Sequence, residues 1–560
     1  MPSDIDIAQQ VQPKPIVEIA ASLGIDASYI EQYGPYKGKI RLDIEDTLAD
    51  RPDGKYVVVT AITPTPPGEG KTTTTVGLGQ AFASIGRRSI VAIRQPSLGP
   101  VFGAKGGAAG GGQAQIIPME DLNLHFTGDA HAVTAAHNLC AAFLDNLLHH
   151  DNPLNIDVNN VTWRRVLDVN DRSLREIVTG LGAGNGLPRE TGFDITAASE
   201  VMAILALAVS YADLRERLGR IVVAYTTDRK PVTAEDIGAA GAMSALLADA
   251  LKPNLVQTLE HTPALVHAGP FGNIAHGNSS ILADRIGLKL ADVLITEAGF
   301  GADLGGEKFF NIKCRASGLT PDAAVLVVTA RALKSHSPTH GSSDSLDIGS
   351  ENIDALREGI PNMEKQIENV RLFGVPVVVA INRFPTDTQD ELDLIKSAAK
   401  AAGAFDAVES HVHAEGGPGG ADLARALERA MAEVPSAYRP LYDLQAPIKD
   451  KIETIAREVY GADGVTYAPA ANRQIRRFTS LGYGDLPVCM AKTHLSISAN
   501  PNLRARPSGF DVTVREVRLS AGAGFVYPLL GEIRSMPGLG ASPSGAGINI
   551  DDAGRISGLF

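Results

Sequence analysis

The chain predicts an α/β protein: a P-loop doubly wound, mainly parallel sheet with two smaller C-terminal domains. Three observations carry that expectation. Short Val- and Ile-rich runs alternate with helical patterns along most of the 560 residues. The runs are continuous rather than alternating, as strands covered on both faces are. One of them, Tyr56–Ile62, leads directly into a Gly-rich loop and then a helix, the order in which a chain builds a phosphate cradle.

The expected strands are Tyr56–Ile62, Ser89–Ile93, Gly219–Ala224, Val293–Ile295, Ala323–Thr329 and Val375–Ile381, with Ser89–Ile93 beside Tyr56–Ile62. Between them, helical patterns cover Val76–Ser84, Ala197–Leu214, Asp284–Leu290, Met363–Phe373 and Leu392–Ala402. Alternation of this kind places ligands at the carboxyl ends of the strands. The chain is too long for one ordinary core. The expected division is a nucleotide-binding domain over 1–365, a second α/β lobe over 366–464 and a small domain over 465–560, rich in Gly and Pro turns. Ala104–Gln113 has too few side chains to pack as an ordinary element, and reads either as a linker or as backbone approaching a ligand or another chain.

The loop itself reads Pro64-Thr65-Pro66-Pro67-Gly68-Glu69-Gly70-Lys71-Thr72. Backbone N–H groups at the start of the following helix favour an anion, helped by the helix dipole. Lys71 supplies a point charge for β/γ oxygens and Thr72 a hydroxyl for Mg²⁺. The usual motif has a glycine six positions before the lysine, where Thr65 stands. A plain surface turn is the competing reading; the agreement of strand, loop, Lys-Thr and helix in one order outweighs it. Arg94, just past the strand Ser89–Ile93, is placed at the same edge, where its planar fork can clamp a phosphate.

Hydrophobic content of 44% and charged content of 21% fit a folded globular protein. A formal net charge of -13 argues against a nucleic-acid partner. Cys140, Cys314 and Cys489 lie far apart, without pairing or metal spacing, and read as buried thiols of a cytoplasmic protein. The start, Met1-Pro-Ser-Asp-Ile-Asp, resembles no signal peptide, and the longest apolar stretch, Val201–Tyr211, is too short to span a membrane. His411-x-His413 invites a metal reading, but no further Cys or paired ligand accompanies it; His125, His131 and His137 lack a metalloprotease pattern.

Longer blocks carry a resemblance. Thr65–Thr75, Arg94–Gly103, Lys105–Gly112, Pro118–Asp129, Asn273–Ser280, Glu297–Phe310, Cys489–Thr493 and Leu519–Phe525 are similar to formate–tetrahydrofolate ligases, and the similarity covers residues 15–540. It implies a monofunctional ligase that makes 10-formyltetrahydrofolate, ADP and phosphate through formyl phosphate. It also implies ATP with Mg²⁺ bound by Thr65, Pro66, Pro67, Gly68, Glu69, Gly70, Lys71 and Thr72, with Thr72 on the metal and Lys71 and Arg94 acting on the phosphoryl groups. A monovalent cation (K⁺ or NH₄⁺) as activator and a homotetramer come from the resemblance alone. So does the pterin site, with Phe384 on one face and Pro385 beside it, contributed by the second lobe.

Departures from the family pattern cluster at the folate end. His413 stands where the family's tryptophan covers the other pterin face, Pro418 where Glu is common, and His494-Leu495 where Gln-Tyr is usual. In the ATP half, Gln95 replaces a common Glu. Imidazole stacks over less area than indole, so a weaker folate contact is expected. Two further readings stay open at this stage: a nucleotide-binding paralogue with an altered or weakened folate acceptor site, and a P-loop switch, against which Pro385 stands where a guanine-reading aspartate would. The polyglutamate length of the folate and the proton acceptor are also left open.

Overall fold

A computed structural model describes residues 2–66, 68–103, 109–339 and 348–559. Its centre is a twelve-stranded sheet. Ten of the strands form its main path: β1 (Ile30–Gln32), β2 (Gly38–Ile40), β3 (Lys55–Ala61), β4 (Ser89–Ile93), β5 (Asn254–Thr258), β6 (Pro263–Val266), β7 (Val293–Glu297), β8 (Ala323–Val328), β9 (Val377–Asn382) and β10 (Asp406–Ser410). Their spatial order is β1-β2-β5-β6-β4-β7-β3-β8-β9-β10. From β6 to β10 every neighbouring pair is parallel, and β1, β2 and β5 add an antiparallel edge.

The continuous apolar runs have a simple cause. In β3, Tyr56 and Val58 enter a core shared with Ile360, Met363 and Ile367 of the helix Ile353–Leu372. Val57, Val59 and Ala61 point the other way, to Leu78 and Phe82 of helix α1 (Lys71–Ser84) and to Leu423 and Leu427. Period-two alternation thus divides one hydrophobic run between two cores, which is the doubly wound arrangement.

The strand order corrects one expectation. β4 does not lie beside β3; β7 lies between them and pairs with both. Gly219–Ala224 also departs from its expected place. The strand is Val222–Thr226, and it pairs antiparallel with Pro231–Thr233 and Ile156–Val161 in a separate three-stranded sheet. Ala197–Leu214 is two helices, Glu200–Leu207 and Tyr211–Gly219, because Ser210 caps the second by accepting the Asp213 N–H. Residue 365 falls inside the helix Ile353–Leu372, and β9 and β10 belong to the same sheet as β3. Tyr442, Ile452, Phe478, Val512 and Val526 share a separate C-terminal core.

Candidate active site

Helix α1 begins at Lys71, with Gly70 as its N-cap at φ +75°. A Cβ on Gly70 would lie 2.3 Å from Asn382 Nδ2, so both backbone angle and close approach require glycine there. The Asn382 amide donates to the Glu69 carbonyl at 3.0 Å, tying the end of β9 to the loop. Gly68 is also left-handed, at φ +80°, but with open space around it. The loop closes in its own way: the N–H and hydroxyl of Thr65 both donate to the Glu69 carboxylate, at 2.6 and 2.9 Å. Thr65 thereby uses its polar groups where the common motif has a glycine. Pro66 is exposed, and Pro67 lies outside the described residues.

The Thr72 hydroxyl donates to Glu297 Oε2 at 2.8 Å. Glu297 ends β7, the strand between the loop strand and the arginine strand, and its side chain is almost wholly buried. Its other oxygen lies 3.8 Å from Arg94 Nη2. Arg94 also donates from Nη1 to the Pro270 carbonyl at 3.2 Å, and its buried Nε has no partner. A Cβ on Gly299 would lie 3.2 Å from Arg94 Nη1 and Nη2, so the guanidinium rests on bare backbone. Hydroxyl and carboxylate together form a hard-oxygen pair suited to Mg²⁺.

Phe384 follows β9 and His413 follows β10, so the two sit just past the carboxyl ends of adjacent parallel strands. Phe384 is half-buried, with the Arg331 guanidinium 3.8 Å from its ring centroid on one face. Pro385 is exposed. His413 is exposed on the short helix Val412–Glu415. Its carbonyl accepts the Gln113 N–H at 2.8 Å. A Cβ on Gly112 would lie 2.1 Å from that carbonyl, and one on Gly111 would lie 3.6 Å from the imidazole Cδ2 and 3.5 Å from Thr73 Oγ1. The Gly-rich segment therefore approaches the chain's own His413, within reach of the first turn of α1. Residues 104–108 of that segment lie outside the described ones.

The strand ends thus line up as Arg94 on β4, Glu297 on β7, the Gly-rich loop on β3, then across β8 to Phe384 on β9 and His413 on β10. With strands roughly 4.8 Å apart, Arg94 and Phe384 leave the sheet about 10 Å to either side of the loop strand. Sequence reasoning missed Glu297 and Asn382 as site residues. The available signal was an acidic or amide side chain closing a Val/Ile strand at the sheet's carboxyl edge.

His411 and His413 do not share a strand face as the metal reading needs; His411 is the N-cap of the helix that carries His413. Among the described residues no group of three or more His, Cys, Asp or Glu is placed to hold a metal. His137 is buried between Ser199 and the Arg164 carbonyl and stacks on Trp163. Burial lowers it to about 3, as befits a structural neutral imidazole. The three cysteines are buried and unpaired. No described helix is long and apolar enough to cross a membrane.

Comparison with known proteins agrees over the whole chain. The family model described as formate–tetrahydrofolate ligase matches residues 2–560. A formate–tetrahydrofolate ligase of Saccharopolyspora erythraea is 58% identical over 564 aligned residues, all of both chains. Proteins of the same name from Roseiflexus sp. (strain RS-1) and Roseiflexus castenholzii are each 59% identical over 564 aligned residues, again with full coverage of both chains. With its mostly parallel α/β sheet, its row of strand-end side chains and this full-length similarity, the chain belongs to the formate–tetrahydrofolate ligase family.

Proposed function

We propose that this chain joins formate to tetrahydrofolate at the expense of ATP, giving 10-formyltetrahydrofolate, ADP and phosphate. The observation that carries the reading is the row of strand ends, with the N-terminus of α1 between Arg94 on one side and Phe384 and His413 on the other. Formate is a poor acyl donor because hydroxide leaves badly. Its carboxylate oxygen attacks the γ-phosphorus and ADP departs, leaving formyl phosphate. The N10 amine then attacks the formyl carbon, phosphate leaves with the C–O bond electrons, and the amine's proton passes to that phosphate.

Each step moves charge over phosphoryl oxygens, so fixed cations and preorganised N–H groups do most of the work. Lys71 and the N–H groups of Gly68 to Thr72 hold the ATP phosphates, while Thr65, whose N–H and hydroxyl go to Glu69, closes the loop that also contains Pro66 and Pro67. Arg94 orients the acyl phosphate with the donors it does not spend on Pro270. Thr72, with Glu297 behind it, holds Mg²⁺, which when bound draws charge off the phosphoryl oxygens. Phe384 covers one pterin face, its other face being stiffened by Arg331; Pro385 flanks it and His413 covers the opposite face. The activating K⁺ or NH₄⁺ and the homotetramer belong to this proposal by family likeness; the cytoplasmic setting rests on the unpaired cysteines, and the division into a nucleotide-binding domain over 1–365, a lobe contributing the folate site over 366–464 and a small C-terminal domain over 465–560 rests on the sequence pattern.

The test is to mix protein, Mg-ATP, formate and tetrahydrofolate, acidify, and read the 5,10-methenyl chromophore. Absence of any formate dependence sinks the ligase reading. Formate-dependent ATP turnover without the chromophore supports the second reading, an altered folate acceptor, which the small exposed ring of His413 favours.

A further inference from the structure

Behind Arg94 lies a group of buried polar atoms that the residue roles above leave unused. His276 and Asn278 are both fully buried, and all four of their side-chain polar atoms, the two imidazole nitrogens and the amide oxygen and nitrogen, have no hydrogen-bond partner. A buried polar group without a partner costs on the order of 1–3 kcal/mol, so four of them together mark a place suited to a hydrogen-bonding ligand.

Their place in the fold is specific. Gly277, between them, accepts the Gly299 N–H at 3.0 Å, and Asn278 bridges Ala298 just past the end of β7. The face of Gly299 that lies against the Gly277 carbonyl is the one that carries the Arg94 guanidinium. On its other side Gly277 sits so close to Gly272 that a Cβ would be 2.4 Å from the Gly272 Cα, and its φ of +67° needs glycine as well. The Gly272 carbonyl accepts from Lys308 Nζ at 2.7 Å. Lys308 is fully buried and forms no ion pair among the described residues. Burial, and after it the nearby charges of Lys313, Arg94 and Lys308, hold the His276 pKa well below the ordinary value, leaving a neutral ring. Lys313 already has its counter-ion in Asp284, at 2.5 Å; among the described residues Lys308 has none.

Four buried, unpartnered amide and imidazole atoms near the cationic side chains Arg94 and Lys308 suit a small anion able to accept hydrogen bonds. We propose that His276 and Asn278, with Lys308 and Arg94 beside them, form the pocket that takes the formate carboxylate and later the formyl end of the acyl phosphate. The Asn278 amide and one imidazole N–H donate to the formyl oxygen. That oxygen gains negative charge when the amine attacks the carbon, so the same two donors act where charge develops. The inference rests on the ligase reading and adds the substrate-contacting residues for its smallest substrate.

Steady-state kinetics of Asn278→Asp and His276→Gln test it, with formate, ATP and tetrahydrofolate varied separately. Asn278→Asp keeps the size and adds a charge facing the substrate; the formate KM should rise at least tenfold while the ATP KM stays within twofold. His276→Gln retains a donor and an acceptor and should fall between Asn278→Asp and wild type. A formate KM within twofold of wild type in both variants overturns the proposal and leaves internal water as the occupant. If wild type itself shows no formate-dependent product, the ligase reading falls instead. Should neither variant fold, wild-type crystals soaked with formate and Mg-ADP decide. Formate within hydrogen-bond distance of Asn278 supports the pocket, and formate elsewhere, or water alone there, overturns it.

Discussion

The Thr72 hydroxyl and the Glu297 carboxylate meet at 2.8 Å, joining the first turn of α1 to the end of the neighbouring strand β7. Glu297 is nearly closed to solvent and Thr72 half-buried, and Arg94 stands 3.8 Å from the other Glu297 oxygen. One carboxylate therefore touches Thr72 and borders Arg94, the two groups proposed to act on the phosphoryl oxygens. Glu297→Gln keeps the hydrogen-bond acceptor and removes the charge. Turnover at fixed ATP should fall about 10–100-fold, with a raised Mg²⁺ requirement, as for other groups that support a metal ligand. A Mg²⁺ titration superimposable on wild type would reduce Glu297 to a structural partner of the hydroxyl.

Lys71 opens α1 at the point where the helix dipole is most positive. Lys71→Ala removes the point charge and leaves a good helix former in place. ATP-dependent turnover should be nearly lost, with thermal unfolding unchanged to within a few degrees. Full activity in this variant means that the cradle is misassigned.

Gly68 and Gly70 separate angle from contact. Both have positive φ, but only Gly70 faces an atom, Asn382 Nδ2, that a methyl would strike. Gly68→Ala should cost roughly 1–2 kcal/mol for the left-handed backbone alone. Gly70→Ala adds displacement of Asn382 from the Glu69 carbonyl, so its ATP KM should rise far more than that of Gly68→Ala. Equal ATP KM values in the two variants would show that the Asn382 contact has no part in shaping the loop.

His413 is exposed and lies beside Gly111 and Gly112. An indole at this position offers more stacking area than an imidazole, by roughly 0.5–1.5 kcal/mol if the ring covers the pterin. His413→Trp should therefore lower the tetrahydrofolate KM several-fold and leave the formate KM alone. An unchanged folate KM would place the ring outside the pterin site.

What could be read in advance follows the range of the interaction. Lys71 and Thr72 were legible because strand, loop and helix form one contiguous motif. β3 was legible because its two faces feed two cores, which requires an unbroken apolar run. Glu297 was not, since it reaches Thr72 only through a strand order that inserts β7 between β3 and β4. Val222–Thr226 has the composition of a parallel strand, and only its hairpin to Pro231–Thr233, closed by Thr226 and Lys230, sets it in another sheet. His276 and Asn278 carry no local signal at all. Their four unpartnered atoms become visible only when burial and neighbours are known.

Glu200 links the helix Glu200–Leu207 to the C-terminal segment: its Oε1 accepts the N–H groups of Gly522 and Ala523, at 2.7 and 3.2 Å. Burial raises its carboxyl from the ordinary 4.5 to about 7, against the lowering effect of those two hydrogen bonds. Between these values the folded state binds the proton that the unfolded state has released, so this group's contribution to stability declines as pH rises from about 4.5 to about 7. His137 and His267, lowered to about 3 and about 4, act in the opposite sense, adding stability as pH rises toward 6.5. The wild-type profile is therefore a sum of opposed slopes, and a single curve cannot separate them. Glu200→Gln keeps an acceptor for the Gly522 N–H and removes the titration while leaving both histidines in place. The difference in Tm between variant and wild type should be small near pH 4.5, grow in the variant's favour to pH 7, and stay constant to pH 8. A roughly few-degree gain at pH 8 is expected for this size of chain. A pH-independent difference would mean that Glu200 is ionised throughout and that its two backbone hydrogen bonds outweigh burial.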